Sequence, residues 1–423
     1  MFILETIFLV SVILIWFMIG YQFIFSLFGY INFILSMKEK QKVDQMHFDL
    51  PTCTILIPAH NEAVVIGNTI EAMLNLEYPE GKLKIMVIND GSKDQTREII
   101  ERYARKDSRV VLFNIPEGMG GKGKSRALNL AIQQADSEVI AVYDADNTPD
   151  SKALHYLVAS LISDKELGGV IGKFRTVNKN RNLLTRFINI ETLSFQSMLQ
   201  AGRWQLHKIA TLPGTNFVMW KWLIDELKGW DEEALTEDAE LSIRIYELGY
   251  KIKFLPYAIT YEQEPEKWSV WIKQRVRWVR GNNYVLAKFM KEIPNFKNKR
   301  LRFDLLYTLA VYYVFFVAVV ISDILFILSL FNVIHISLPG PYSAVWIIAI
   351  GLFMVEIMLA ISFDHEDNWK NFGLVLIMYF TYCQLWIYVM LKAFYLENIK
   401  KAAHVWDKTV RFEVQPYKQI VHE

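Results

Sequence analysis

Cysteine is nearly absent. The 423 residues contain two, Cys53 and Cys383, far apart and each in an apolar stretch, which excludes a disulfide framework and a cysteine-built zinc site. An excess of either charge is also missing: 46 lysines and arginines face 45 aspartates and glutamates, for a formal net charge of +1. Nothing therefore favours nucleic acid as a partner. No lysine or arginine precedes Lys38, and no charge at all lies between Glu5 and Lys38. That run is too long for a cleaved signal and lacks its basic start, so it reads as a retained membrane span. Lys38, Lys40 and Lys42 follow at once. By the positive-inside rule they put the amino terminus outside and the next domain in the cytosol.

Apolar residues make up 52% of the chain but are concentrated at its two ends. After Asp304 they form three blocks, 305–333, 344–361 and 372–396, separated by Pro339-Gly340-Pro341 and by Asp364-His365-Glu366-Asp367-Asn368. Lys288, Lys291, Lys297, Lys299 and Arg300 lie among Val, Leu, Phe and Met in 284–302, which suits an amphipathic segment on the inner leaflet. The expected division is a span in 1–36, a cytosolic domain in 37–283, an interfacial segment in 284–304, membrane helices in 305–396 and a tail in 397–423. Three simple spans after a cytosolic domain would leave that tail outside. Lys400, Lys401, Lys408 and Arg411 prefer the cytosol, so one block is expected to be re-entrant or divided. Asp323 and Glu356 interrupt apolar blocks, where an ionisable group is costly and marks a transport path, a partner contact or a place near a helix end.

The middle of the chain alternates strand and helix. Residues 52–57 form an apolar strand stopped by Pro58, and Asn61-Glu62 opens a helix to about residue 76. Strands at 84–88 and 110–114 alternate with helices at 96–103 and 124–133. A fourth strand, Val139-Ile140-Ala141-Val142-Tyr143, delivers Asp144 and Asp146. Such alternation predicts a parallel sheet with crossover helices on both faces, and ligands bind at the carboxyl edge of such sheets. Three strand ends are polar there: His60-Asn61-Glu62, Asn89-Asp90-Gly91-Ser92 and Asp144-Ala145-Asp146. Two carboxylates on one face repel unless a cation lies between them, so their convergence points to a metal-bound nucleotide. Singly, each is equally a turn that caps the following helix. Residues 118–124, GMGGKGK, lack the Walker order yet offer amides and lysine charge to phosphate oxygens.

Two more clusters follow. Glu237 and Asp238 open a helix with Leu241, Ile245 and Leu248 on its apolar face. They either complement the helix dipole or supply a general base. In WIKQRVRWVRGNN, residues 271–283, Gln274, Arg277 and Trp278 share a face at i, i+3 and i+4. That face could hold a sugar ring and a phosphate, or belong to a helix snorkelling at a bilayer surface.

Taken in order, Asp90, Asp144-Ala-Asp146, Thr236-Glu237-Asp238 and Gln274-Arg-Val-Arg277-Trp278 resemble the D, DxD, TED and QxxRW motifs of processive family 2 glycosyltransferases. These are the membrane synthases of cellulose, hyaluronan, chitin and poly-N-acetylglucosamine. The resemblance covers nearly the whole chain and in layout is closest to bacterial poly-N-acetylglucosamine synthases. It implies a GT-A-type α/β domain with a mostly parallel sheet, flanked at both ends by transmembrane helices in a bacterial cell membrane. It implies that Asp90, with Pro58 and Glu62, binds the uridine of a UDP-sugar, that Lys124 lies near the diphosphate, that Asp144 contacts the nucleotide sugar and that Asp146 ligates Mg2+ or Mn2+. Asp238, beside Glu237, would be the catalytic base. Gln274, Arg277 and Trp278 would hold the acceptor glycan and diphosphate, with Thr215 and Asn216 in the acceptor loop. More loosely, Trp406, Lys408, Thr409 and Arg411 resemble a gating segment over the nucleotide. A small membrane or regulatory subunit is a partner the family admits.

The implied reaction is direct displacement at the anomeric carbon of a UDP-sugar, N-acetylglucosamine first, by one base and without a second catalytic carboxylate. An α-linked donor then gives a β-linked exopolysaccharide. A hydrolase would need an acid and an opposed carboxylate, which the uridine-type site argues against. The rival functions are a non-processive transferase that adds one sugar to a membrane lipid, and a catalytically silent scaffold or glycan channel.

Overall fold

The computed structural model describes residues 2–116, 118–334, 342–402 and 411–412; the Pro339-Gly340-Pro341 break lies outside them. Helix α1 (Phe2–Val43) has 42 residues, a length of about 63 Å at 1.5 Å per residue, roughly twice a hydrocarbon core. Its far end therefore reaches the soluble domain, where Glu39 pairs with Lys253 at 2.6 Å and Asp44 accepts a hydrogen bond from Tyr156 at 2.7 Å.

The first half of that domain runs β1 (Cys53–Ala59), α2 (Ile66–Leu74), β2 (Leu83–Asn89), α3 (Thr96–Lys106), β3 (Val110–Asn114), α4 (Lys124–Ile132) and β4 (Val139–Val142). Its strands pair in parallel in the order β3-β2-β1-β4. Ile55, Leu56, Ile57, Val87, Ile140 and Ala141 are fully buried, the near-continuous apolar pattern of strands covered on both faces. Two local expectations are corrected. Strand β1 continues through Pro58 to Ala59, because the ladder to β4 has already ended at Leu56 and the missing N–H has no partner to lose there. Helix α2 starts only at Ile66, after a turn that Asn61 opens at φ 55°.

The second half is mixed. It comprises β5 (Thr148–Pro149), α5 (Ala153–Ser163), β6 (Leu167–Thr176), α6 (Leu183–Ser194), α7 (Ala201–His207), β7 (Phe217–Trp220), α8 (Lys221–Glu226), α9 (Glu237–Glu247), β8 (Lys251–Glu262) and α10 (Trp268–Phe289). Strand β7 is antiparallel to both β4 and β6, and β8 is parallel to β6. The eight-stranded order is β3-β2-β1-β4-β7-β6-β8-β5.

The segment 284–302 is not one element: its first six residues complete α10. A short 3-10 turn at Ile293–Asn295 interrupts it, and α11 (Lys299–Leu309) begins where the Asn298 side chain caps Arg300 and Leu301. Helix α11 continues through a π-helical stretch into α12 (Phe316–Leu330), followed by α13 (Tyr342–Ser362), α14 (Trp369–Phe380) and α15 (Tyr382–Phe394). Three helical stretches among the described residues, Ile3–Val43, Lys299–Ser329 and Trp369–Ile399, are long and apolar enough to cross a membrane.

The last stretch breaks at Thr381. The other two are tied to the soluble domain, α1 by Glu39–Lys253 and α11 by Asp304–Arg203, and the last stretch is tied to it along its length. Just before it, Asp364 pairs with Lys173 and Arg175, and Glu366 with Lys179. In its middle, Trp271 donates to the Tyr382 hydroxyl at 2.8 Å, and Glu191 accepts from Tyr382 at 2.7 Å and Trp386 at 3.2 Å. At its end Arg280 pairs with Glu397 at 2.8 Å.

Candidate active site

Parallel pairing brings the carboxyl ends of β1, β2 and β4 to one edge. Asp90 follows β2, and the glycine turn after β3 folds onto it, with Gly121 N–H donating to Asp90 Oδ1 at 2.7 Å. Burial nevertheless raises the Asp90 carboxyl above its ordinary value. Lys124, at the start of α4, reaches across to Asp144 Oδ1 at 2.5 Å and to the Gly214 carbonyl at 2.7 Å. Asp144, Glu237 and Asp238 outweigh its desolvation and hold its ammonium above the usual lysine range. Thr215 accepts the Asp144 N–H at 3.0 Å and bonds Asn147, bracing the turn that carries the aspartates.

Asp146 lies deeper than Asp144. It accepts the Gln263 N–H at 3.0 Å and pairs with Arg411 at 2.9 Å. Arg411 is the described part of the tail motif; Trp406, Lys408 and Thr409 lie outside the described residues. The Asp144-Asp146 pair supplies two carboxylates, and among the described residues no group of three or more His, Cys, Asp or Glu could hold a metal ion. Two carboxylates suffice for a cation that takes its other ligands from substrate phosphates and water. A guanidinium already seated on Asp146 shows that this position accepts positive charge.

Helix α9 presents Glu237 and Asp238 in its first turn. A Cβ added to Gly214, at φ 83°, would lie 3.1 Å from Asp238 Oδ2 and 3.5 Å from Lys124 Nζ, so the base candidate and the lysine share one wall. Burial and the Glu237 charge push the Asp238 carboxyl up to about 7. Burial raises Glu237 as well, against Lys124 and Arg277. Helix α10 closes the site from the other side. It approaches α9 so tightly that a Cβ on Gly281 would meet Thr236 at 2.5 Å; only glycine allows this contact.

Arg277 and Trp278 thereby face the same cavity as Asp238. Arg277 is half-buried and makes no ion pair or hydrogen bond among the described residues, and its desolvation outweighs the pull of Glu237, Asp238 and Asp144. Trp278 is 37% exposed and has the Arg275 guanidinium 4.1 Å from its ring centroid. Gln274 accepts from Arg275 at 2.7 Å.

One cavity of about 990 Å³ gathers most of these residues: Pro58, Glu62, Asp90, Lys124 and Asp144 on the strand side, with Thr215, Glu237, Asp238, Gln274, Arg277, Trp278 and Arg411 around it. It then continues between the apolar helices, past Gln22 of α1, Tyr307 of α11 and Glu356 of α13. Two sequence candidates do not line it. Asp146 sits behind Arg411, and Asn216 turns its amide into the sheet, donating to the Lys173 and Ala258 carbonyls at 3.0 Å each. Of the two acids in the apolar blocks, Glu356 lines the cavity and Asp323 does not.

Four residues escaped the sequence reading. Arg275 is 1% exposed and pairs with Glu191 at 2.5 Å; the signal was an arginine on the Trp271-Val279 apolar stripe, which demands a buried partner. Glu262 ends β8 and Glu264 follows it, beside Asp146; burial raises both, helped at Glu262 by the Glu264 charge and at Glu264, pushed up to about 7, by the Glu191 and Asp146 charges. Their signal was EQEPE, a fourth polar strand end of the kind noticed elsewhere. Gly281 had no signal beyond its place after Arg280.

A nucleotide-binding parallel half, extended by a mixed half with an acid-lined crevice at their junction, defines a GT-A-type glycosyltransferase. The chain belongs to glycosyltransferase-like family 2, whose model matches residues 51–281, and it is a transferase enzyme. It is 44% identical over 412 residues to a probable glycosyltransferase, YdaM, of Bacillus subtilis, covering 96% of this chain and 98% of that one. It is 28% identical over 353 residues to the poly-β-1,6-N-acetyl-D-glucosamine synthase of Staphylococcus epidermidis, covering 82% of each. In fold it resembles the mannosyltransferase PcManGT of Pyrobaculum calidifontis, solved with GDP-mannose and Mn2+, at a TM-score of 0.56 and 18% identity, over 87% of this chain and 99% of that one.

Proposed function

We propose that the protein is a processive, inverting synthase that extends a β-linked polysaccharide from UDP-N-acetylglucosamine and passes the product through its membrane helices. The observation that carries this reading is the single cavity that runs from Asp90, Lys124 and Asp144, past Asp238, to Gln22, Tyr307 and Glu356 between apolar helices. A transferase acting on one small acceptor has no use for a space that leads away from the site into the helix bundle.

In this reading Asp90 and the turn at Pro58 and Glu62 take the uridine, and Lys124 and Arg277 face the diphosphate. Asp238, kept basic enough by burial and Glu237, takes the proton of the acceptor hydroxyl as that oxygen attacks the anomeric carbon. The bond to UDP breaks on the opposite face, so configuration inverts. The two cations neutralise charge as it grows on the leaving group. Asp146 with Asp144 would hold Mg2+ or Mn2+, which supplies further charge neutralisation at the diphosphate when bound. Trp278 offers its indole to the acceptor sugar, and Thr215 keeps Asp144 in place. Asn216, knitted between β6 and β8, shapes the loop and does not touch the glycan. Arg411 brings the tail onto the donor site.

The same reading sets the topology. The amino terminus lies outside, α1, α11–α12 and α13 cross the bilayer, and α14–α15 lie along its cytosolic surface. The break at Thr381, with ties before, within and after that last stretch, supports this arrangement, which leaves the tail beside the active site. The test is to incubate the purified chain in lipid with separately labelled UDP-sugars and Mg2+ or Mn2+ and to size the products. A long polymer is expected. One labelled lipid would instead mean single-sugar transfer to a membrane acceptor, and no product would overturn both.

A further inference from the structure

A second cavity, of about 450 Å³, shares no lining residue with the first. It lies where the cytosolic end of α1 meets β6, β8 and the turn between α13 and α14. Four cations line it, Lys40, Lys152, Lys173 and Arg175, against two acids, Asp150 and Asp364. Asp364 is consumed by Lys173 and Arg175. Lys40 and Lys152 belong to no ion pair among the described residues; the Lys40 ammonium lies 5.7 Å from the Tyr156 ring centroid and acts on the Asp150 carboxylate from beyond ion-pair distance. Asn32, 3% exposed and lining the same space, has an amide Nδ2 without a partner among the described residues. One wall is aromatic: Phe33 of α1 and Phe363 stack with centroids 4.8 Å apart.

Spare ammonium groups and a buried amide donor suit an oxyanion, and the net positive lining favours the single negative charge of a phosphodiester. The aromatic wall on the α1 side suits the glycerol and first methylenes beside it. In the topology proposed above, this is the level at which α1 leaves the inner leaflet. We infer that this cavity binds the phosphate of an anionic phospholipid headgroup, which ties α1, the catalytic sheet and the α13–α14 turn together. Lys40 and Lys152 supply the charge, Asn32 the neutral donor.

The test is binding, not turnover, so its failure is separate from that of the synthase reading. The full chain in detergent is offered phosphatidylglycerol and phosphatidylcholine in competition, and retained lipid is read by native mass spectrometry; inorganic phosphate and glycerol phosphate are titrated in parallel by thermal shift. Selective retention of phosphatidylglycerol is expected. Lys40→Gln with Lys152→Gln should lower that affinity about a hundredfold, about tenfold for each charged contact removed. Lys42→Gln, an exposed neighbour on the same helix that does not line the cavity, should retain the lipid. Stabilisation by the free phosphates, lost in the double variant, would place the same site on a soluble phosphate ligand. Equal retention of both lipids with no phosphate effect overturns the inference. So does a Lys42→Gln loss as large as that of the double variant, which would mean surface charge alone. Should the double variant not fold, Asn32→Leu is read by the same criterion, with an expected loss of about fivefold for one neutral hydrogen bond.

Discussion

On the donor side of the cavity the chain answers its own charges: Asp144 meets Lys124 and Asp146 meets Arg411. Towards the apolar helices it does not. Glu356 Oε1 and the Tyr307 hydroxyl are buried there with no partner among the described residues. An unsatisfied buried polar group costs about 1–3 kcal/mol. In the synthase reading, the ion-paired side holds its shape before a nucleotide arrives, and Glu356 and Tyr307 await a glycan that brings the missing partners.

The contrast is broken most severely at the base. Asp238→Asn should lower kcat by about 10²–10⁴-fold with little change in donor KM, read by UDP release; near-normal turnover would remove Asp238 from the chemistry. Next, Arg277→Ala should reduce kcat/KM by about 10²-fold, the order expected for one preorganised charge on a leaving group. Arg277→Lys should recover only part of the loss, since the ammonium lacks the forked donors. Glu356→Leu should shorten the product by about fivefold through faster release, the effect of one lost hydrogen bond, while Asp323→Leu leaves product length as it was. Equal lengths for both would show that the far part of the cavity does not touch glycan.

The smallest expected effect is on pH dependence. With the Asp238 carboxyl raised to about 7, the ionised base is lost as pH falls through that value, so the rate should decline on the acid side of neutrality. Glu237→Gln removes the neighbouring negative charge and favours the carboxylate. The acid limb should then move to lower pH, and a move upward would contradict the assigned coupling.

The donor half was legible in the sequence because its strands are buried on both faces and read as unbroken apolar runs, with Asp90 and Asp144 standing out at their ends. Strands β5 to β8 were not. Strand β7 has four residues and β5 two, too short for a period to register, and β8 sets Lys251, Lys253, Tyr261 and Glu262 at half-buried positions. Spacing put Gln274, Arg277 and Trp278 on one face correctly. It could not show that Arg275, one residue away, is what steadies them through Glu191 and the Trp278 ring. Nor could a one-dimensional pattern reveal Gly281 against Thr236, or turn Asn216 away from the cavity, since both depend on what another segment brings within 3 Å. Thr381, unremarkable in an apolar run, divides a block whose length alone suggested another crossing.

That division has a mechanical consequence. Glu397 grips α10 through Arg280, and fourteen residues further on Arg411 grips the aspartate turn of β4. The carboxyl-terminal part of the chain is thus pinned twice, once to the helix that carries Arg277 and once to the turn that carries Asp146, and displacing either anchor costs an ion pair.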